Sequence, residues 1–294
     1  MLDHQFDLDG YLFGLGCELS IKDDGFDNGA AEWVSQDTFA PVSGARMFGR
    51  DILHGPTWSF SGFTDGQDVS TALGILATAT KAWRAHAIRD VPNAFQTLRY
   101  GLDGRTRRVY GRAKRFAAPP TNLILNGMVP VVSTFDTVDS LHYDDQETSI
   151  SLTAISWTGT GGLLPPLSEP LTTEMDVGPR EGSQIIRGDS PTPTIITFFG
   201  PSVNPWVTVN GWKIQLLANV ALGQRITIDT RPWVNTVLTD GAGTSGSWAG
   251  RLSRTSLLSK AVLLPGPAFF TYGAIDGTGT SHVEVKWRTA WSSL

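Results

Sequence analysis

The chain has 294 residues, 40% apolar and only 17% charged, with a formal net charge of −5 and one cysteine, Cys17. At roughly 100–200 residues per domain this length predicts about two domains; mild acidity disfavours duplex DNA as the main partner, and a single cysteine excludes an intramolecular disulfide. No run approaches the ~18 apolar residues of a membrane span, and the first residues, with Asp3, Asp7 and Asp9, lack a basic-then-apolar leader pattern, so a soluble protein made in a cytoplasm is expected.

In chain order, the first sixty residues read as strands and loops. Glu18–Ile21 is a short alternating run that ends in the turn cluster Lys22-Asp23-Asp24-Gly25. Trp58-Ser59-Phe60-Ser61 alternates, which puts Trp58 and Phe60 on one sheet face. Val69, Ala72, Leu73, Leu76, Ala79, Trp83 and Ala87 then recur at three-and-four spacing, the period of one apolar helix stripe. Asp68 is suited to cap that helix at its start. Lys81, Arg84, His86 and Arg89 suit the negative end of its dipole, and Pro92 prevents continuation.

A long hairpin is expected next: Phe95–Leu102, the two-residue turn Asp103-Gly104, and Arg105–Phe116. Met128–Val132 and Ile150–Trp157 read as further strands. From Thr158 to Pro193 glycine and proline dominate, which predicts a linker or crossover with short strand pieces around Ile185-Ile186. Beyond it only strand patterns occur: Thr194–Phe199, Trp206–Val209, Lys213–Ala218, Arg225–Asp229, Ala261–Leu264, Phe269–Tyr272 and His282–Trp287, with a tight turn at Asn210-Gly211. Such spacing predicts a β-sandwich. Asp240–Ser247 reads as a mobile loop. The expected divisions are therefore 1–160, a Gly/Pro-rich stretch 161–192, and 193–294.

No nucleophile-elbow or phosphate-loop motif occurs, and the five histidines show no zinc-protease spacing. His142, Asp144, Asp145 and Glu147 could ligate a metal but read better as a solvated acidic turn. Asp23–Gly29 has oxygen ligands at short spacing without the terminal Glu or flanking helices of a calcium loop. Cys17 reads as a small packed side chain. No paired carboxylates stand out for a glycosidase. The sequence thus gives no catalytic residues, no metal and no cofactor.

Two groups suggest binding. Arg99, Arg105, Arg107, Arg108, Arg112, Lys114 and Arg115 flank the hairpin, with Asp103 the only acid among them. One reading is a charged face that meets a neighbouring subunit or lines a channel; the other is an edge hairpin kept soluble by charge. Among ten tryptophans, Trp212, Trp233 and Trp248 are candidates for stacking on sugars or anchoring a partner, with Trp248 the best exposed; core packing is the alternative for each.

The order of these elements, with Gly111–Phe116, Gly223–Thr230 (GQRITIDT), Leu263–Phe270 (LLPGPAFF) and Val283–Trp291 (VEVKWRTAW), resembles the distal tail proteins of long-tailed, non-contractile bacteriophages, in particular the minor tail proteins of actinobacteriophages. The resemblance covers essentially the whole chain. It implies a mainly β protein: a tail-tube-like β-sandwich or barrel with one helix and a long hairpin, then a galectin-like sandwich. It also implies a virion protein assembled in the host cytoplasm, forming a homo-oligomeric ring, a hexamer, that joins the tail tube to the tail tip or baseplate and supports receptor-binding proteins while DNA passes the lumen. A carbohydrate-binding adhesin for cell-wall glycans is the alternative, and a cell-wall glycosidase a third.

Overall fold

The computed structural model describes residues 1–39, 43, 45–154 and 180–294. The protein is mainly β, with its strands paired antiparallel, and divides into one unit of residues 1–145 with 291–294 and a second of residues 146–290.

The first unit opens with β1 (Gln5–Leu8), β2 (Tyr11–Gly14) and β3 (Leu19–Asp27). Next come four short strands, β4 (Trp33–Ser35), β5 (Thr38–Phe39), β6 (Arg46–Met47) and β7 (Asp51–Leu53), and the long β8 (Thr57–Thr64). Helices α1 (Val69–Arg84) and α2 (His86–Arg89) precede β9 (Gln96–Leu102), β10 (Arg105–Ala117), β11 (Pro130–Thr137) and β12 (His142–Asp144). A nine-stranded sheet runs β2-β1-β9-β10-β11-β8-β3, with β12 also on β10. The ninth strand is β25 (Ala290–Trp291), paired with β12.

Local chemistry explains the main elements. Trp58 and Phe60 alternate inward on β8, as the period of two requires. Asp68 Oδ1 accepts from the Thr71 N–H at 2.7 Å and caps α1. The buried stripe of α1 is Ala72, Ile75, Ala79 and Trp83, while Val69 and Leu73 stay exposed. Ala85, in the left-handed region, ends α1 before Ala87. Trp83 donates from Nε1 to the Thr134 carbonyl at 3.2 Å and meets Phe13 and Phe60 edge-on, with centroids 5.1 and 6.3 Å away. Phe6, Phe13, Phe26, Phe60, Trp58 and Tyr100 complete an aromatic core.

At the β9–β10 turn, Asp103 (φ 53°) and Gly104 (φ 67°) adopt the two positive φ values of a two-residue hairpin turn. Lys22–Gly25, expected as a turn, instead continues β3 through a bulge, where the register jumps from Ile21↔Gly62 to Phe26↔Phe60. Gly25 permits it, because a Cβ there would overlap the Ser61 carbonyl.

The reading of β9–β10 as an edge hairpin kept soluble by charge is corrected. β9 pairs with β1 on its outer side; β10 pairs with β12 at Arg107–Arg108 and with β11 from Gly111 to Ala117. The hairpin is central to the sheet, and its backbone groups are satisfied within the chain.

The second unit contains β13 (Thr148–Thr153), β14 (Arg180–Ile186), β15 (Thr192–Phe199), β16 (Ser202–Val209), β17 (Trp212–Gln215) and β18 (Asn219–Val220). It continues with β19 (Arg225–Asp229), β20 (Thr236–Asp240), β21 (Gly246–Ser247), β22 (Val262–Leu263), β23 (Gly266–Ile275) and β24 (His282–Trp287). One sheet runs β13-β24-β15-β19-β20-β21 with β22 on β15, the other β14-β23-β16-β17 with β18 on β16. Phe198, Ile226, Ile228, Val283 and Val285 of the first join Val207, Val209, Ile214 and Phe270 of the second in one core, which makes this unit a sandwich.

The divisions differ from the sequence reading in two places. β13 pairs with β24 from Thr148↔Trp287 to Thr153↔His282, so residues placed in a 1–160 domain belong to the sandwich. Residues 180–186, read as linker, form an edge strand along β23; residues 155–179, most of that stretch, lie outside the described residues. The expected loop at 240–247 is held by hydrogen bonds from Gln224 Nε2 to Thr244 Oγ1 (3.0 Å) and Thr239 Oγ1 (2.8 Å).

Asp276 ties the β23–β24 connection. Burial alone would raise its pKa. Bonds from the Ser281 N–H (2.8 Å), the Thr278 N–H (2.8 Å) and the Thr278 hydroxyl (2.7 Å) outweigh that and hold it at about 2. A folded-state pKa below the unfolded value stabilises above the ordinary carboxylate range, and this stabilisation fades as pH falls through it. Asp276→Asn should therefore cost on the order of 2 kcal/mol at neutral pH, and the gap to the parent should narrow in urea titrations repeated toward the folded-state pKa.

Candidate functional site

The seven basic side chains of the hairpin have separate fates. Arg99 pairs with Asp7 across the β1–β9 ladder, and Arg108 pairs with Asp145. Arg112 donates to the carbonyls of Ala94 (2.5 Å) and Val91 (2.8 Å). Arg107 is buried; it donates to the Ser293 carbonyl at 2.6 Å and lies over the Trp291 ring, 4.9 Å from its centroid. The Trp291 indole in turn donates to Asp144 at 2.9 Å, which fixes the terminal segment on β12. Lys114 reaches Asp136 only at 3.6 Å, and Arg105 and Arg115 are exposed. Most of the basic run therefore builds the fold.

The three tryptophans offered as contacts are half-buried. Trp212 donates from its indole to the Val262 carbonyl at 2.9 Å, and Trp212 and Trp248 pack on the sandwich core.

The acidic groups are also committed locally. His142 is buried, with Nδ1 2.8 Å from the Tyr100 hydroxyl, and Glu147 pairs with Arg288 at 3.3 Å. Residues 142–144 are thus a structural strand, while Asp145 and Gln146 form a bend beyond it and Glu147 is exposed. Asp23 and Asp24 are exposed along β3. No group of three or more His, Cys, Asp or Glu side chains converges to hold a metal among the described residues.

The feature that sequence reasoning missed lies between β3 and β8. β4 pairs only with β7, and β5 only with β6, as two-stranded ladders outside the main sheet. Asp37 braces this arm by accepting from the Gly49 N–H (2.9 Å) and from Arg46 Nε (2.8 Å). The Gly49 amide, then the guanidinium, hold its carboxyl below the usual range. The arm carries Trp33 at 65% exposure, Phe39 at 69% and Phe48 at 83%, with Val34, Met47 and Ile52 also exposed. In register, Trp33 stands opposite Leu53 on one face and Val34 opposite Ile52 on the other, so both faces of the ribbon are apolar. Two strands alone bury too little to be independently stable, and a contiguous exposed apolar surface marks a binding surface. The available signal was the density of large apolar residues between Trp33 and Leu53; it lacks the alternation that marks a half-buried strand.

No protein-family model matches the sequence, and no curated protein is similar to it. Among solved structures, a chain of the phage P2 baseplate in its activated conformation with calcium matches with a TM-score of 0.56 at 12% identity, covering 99% of each chain. The SPP1 Dit protein (gp 19.1), described as a paradigm of the hub adsorption apparatus in phages infecting Gram-positive bacteria, matches with a TM-score of 0.55 at 13% identity over 97% of this chain and 98% of that one. These likenesses show a shared fold.

The buried Arg107 and the exposed Arg105 should behave oppositely. Arg107→Ala strands the Ser293 carbonyl and uncovers the Trp291 ring, and should cost about 3 kcal/mol, with non-additive coupling to Trp291→Ala. Arg105→Ala should stay within about 0.5 kcal/mol of the parent. Chemical denaturation of the parent and the four variants decides both points.

Proposed function

We propose that this chain is a non-catalytic virion protein at the distal end of a phage tail. Its copies join head to tail into a closed ring of six that connects the tail tube to the tail tip and carries receptor-binding proteins. DNA passes the lumen without specific binding. The observation that carries this reading is the arm of strands β4 to β7, where Trp33, Val34, Phe39, Met47, Phe48 and Ile52 are exposed and both faces of the β4–β7 ladder are apolar. Such a ribbon is completed by another chain. A contact between two different patches of identical subunits is heterologous, and it closes into a ring when the rotation allows.

Two observations support the setting. The fold is shared along nearly the whole chain with baseplate and hub proteins. The charged fraction is 17%, and much of that charge is spent on pairs inside the chain, which leaves a surface with little commitment to water. The resemblance to actinobacteriophage minor tail proteins narrows the host class within the same proposal.

Native mass spectrometry and negative-stain imaging of the purified chain over a wide concentration range test it. Six-membered rings that dissociate on dilution are expected. Combining Trp33→Ala, Phe39→Ala and Phe48→Ala should leave the far-ultraviolet circular dichroism intact and weaken each contact by about 2 kcal/mol or more, roughly thirtyfold. A parent protein that stays monomeric at every concentration overturns the reading.

A further inference from the structure

The other half of an arm-mediated contact should be a cleft whose chemistry complements the arm. One groove in the first unit has this character. It has a volume of about 650 Å³ and lies where the C-terminal end of α1 meets the second half of β10, lined by Leu76, Trp83, Arg84, His86, Lys114 and Phe116 among others. That volume falls in the ~300–1,000 Å³ range of clefts that hold a sizeable ligand.

Its floor is apolar and its rim cationic. The rings of Trp83 and Phe116 lie 5.5 Å apart, centroid to centroid, with Leu76 beside them. Lys81, Arg84 and His86 make no side-chain ion pair or hydrogen bond among the described residues, and Lys81 lines an adjoining depression continuous with the groove through Leu76, Arg84 and His86. Arg89, by contrast, is spent on the carbonyls of Trp83 (3.1 Å), Arg84 (3.0 Å) and Ala113 (2.5 Å), which fixes the groove wall. A ligand for this site carries an apolar anchor and a carboxylate close together.

One face of the arm has that pairing. Trp33 opposite Leu53 and Ser35 opposite Asp51 alternate onto the same side, which sets an indole and an isobutyl group beside a carboxylate. Asp51 is exposed and, among the described residues, accepts only the Ser35 hydroxyl, at 2.6 Å. We propose that the groove receives the arm of a second copy: Trp33 and Leu53 enter onto the half-buried Leu76 and Phe116, beneath which Trp83 is fully buried, and Asp51 meets Lys81, Arg84 and His86. This rests on the ring reading and assigns it one specific contact.

The test uses the full chain with Trp33→p-benzoylphenylalanine, mixed in equal parts with unlabelled and ¹⁵N-labelled copies, irradiated and mapped by mass spectrometry. Mixed-isotope links into residues 76–86 or 114–118 are expected. Mixed-isotope links confined to other surfaces overturn the groove assignment and leave the ring standing. Links found only within one copy, in an unassembled protein, overturn both. A charge exchange gives an independent check. Arg84→Glu should weaken assembly about tenfold or more, and adding Asp51→Arg to the same chain should recover most of that loss, with circular dichroism showing that each variant folds. Failure of the second change to recover assembly contradicts the contact.

Discussion

A two-stranded ribbon has no inside. Side chains alternate between two faces of the β4–β7 ladder, and among the described residues Trp33 and Val34, on opposite faces, are both exposed. With Trp33, Phe39 and Phe48 mostly in water, at roughly 25 cal/mol per Å² of apolar surface, covering this segment would favour association. The main sheet, in contrast, pairs its long hairpin on both sides.

The electrostatics follow the same division. The run of arginines suggests an interface when read along the sequence, but in the fold Arg99, Arg107, Arg108 and Arg112 each find an anion or a carbonyl of their own chain. Buried or half-buried charges must be paired because desolvation is expensive, so these residues fix the sheet and the terminal segment. Lys81, Arg84 and His86, which have no side-chain partner among the described residues, lie instead at the end of α1, where the helix dipole favours positive charge and a groove opens beside them. Folding thus consumes one basic cluster and leaves another available.

What could be read in advance was whatever depends on neighbours in sequence. The alternation of Trp58 and Phe60, the cap at Asp68, the turns at Asp103-Gly104 and Asn210-Gly211, and Ile226 and Ile228 facing one side of a sandwich strand are all local and all present. What escaped depends on distant partners. Asp7 sits in a strand because Arg99 answers it across β9, and Arg107 is buried because Ser293 and Trp291 return to it from the other end of the chain. Trp33, which carries the proposed contact, stood out from the other tryptophans by no local pattern, since an arm built for a partner obeys the periodicity of neither a buried nor a half-buried strand.

Hydrogen–deuterium exchange of the backbone amides of residues 33–53, followed as protein concentration rises, bears most directly on whether a second copy finishes this ribbon. The account predicts fast exchange in dilute solution and growing protection on assembly, with the central strands β9 and β10 protected at every concentration. Exchange in the arm that is slow when dilute and indifferent to concentration would mean that its apolar faces are already covered from within, and the account would be wrong.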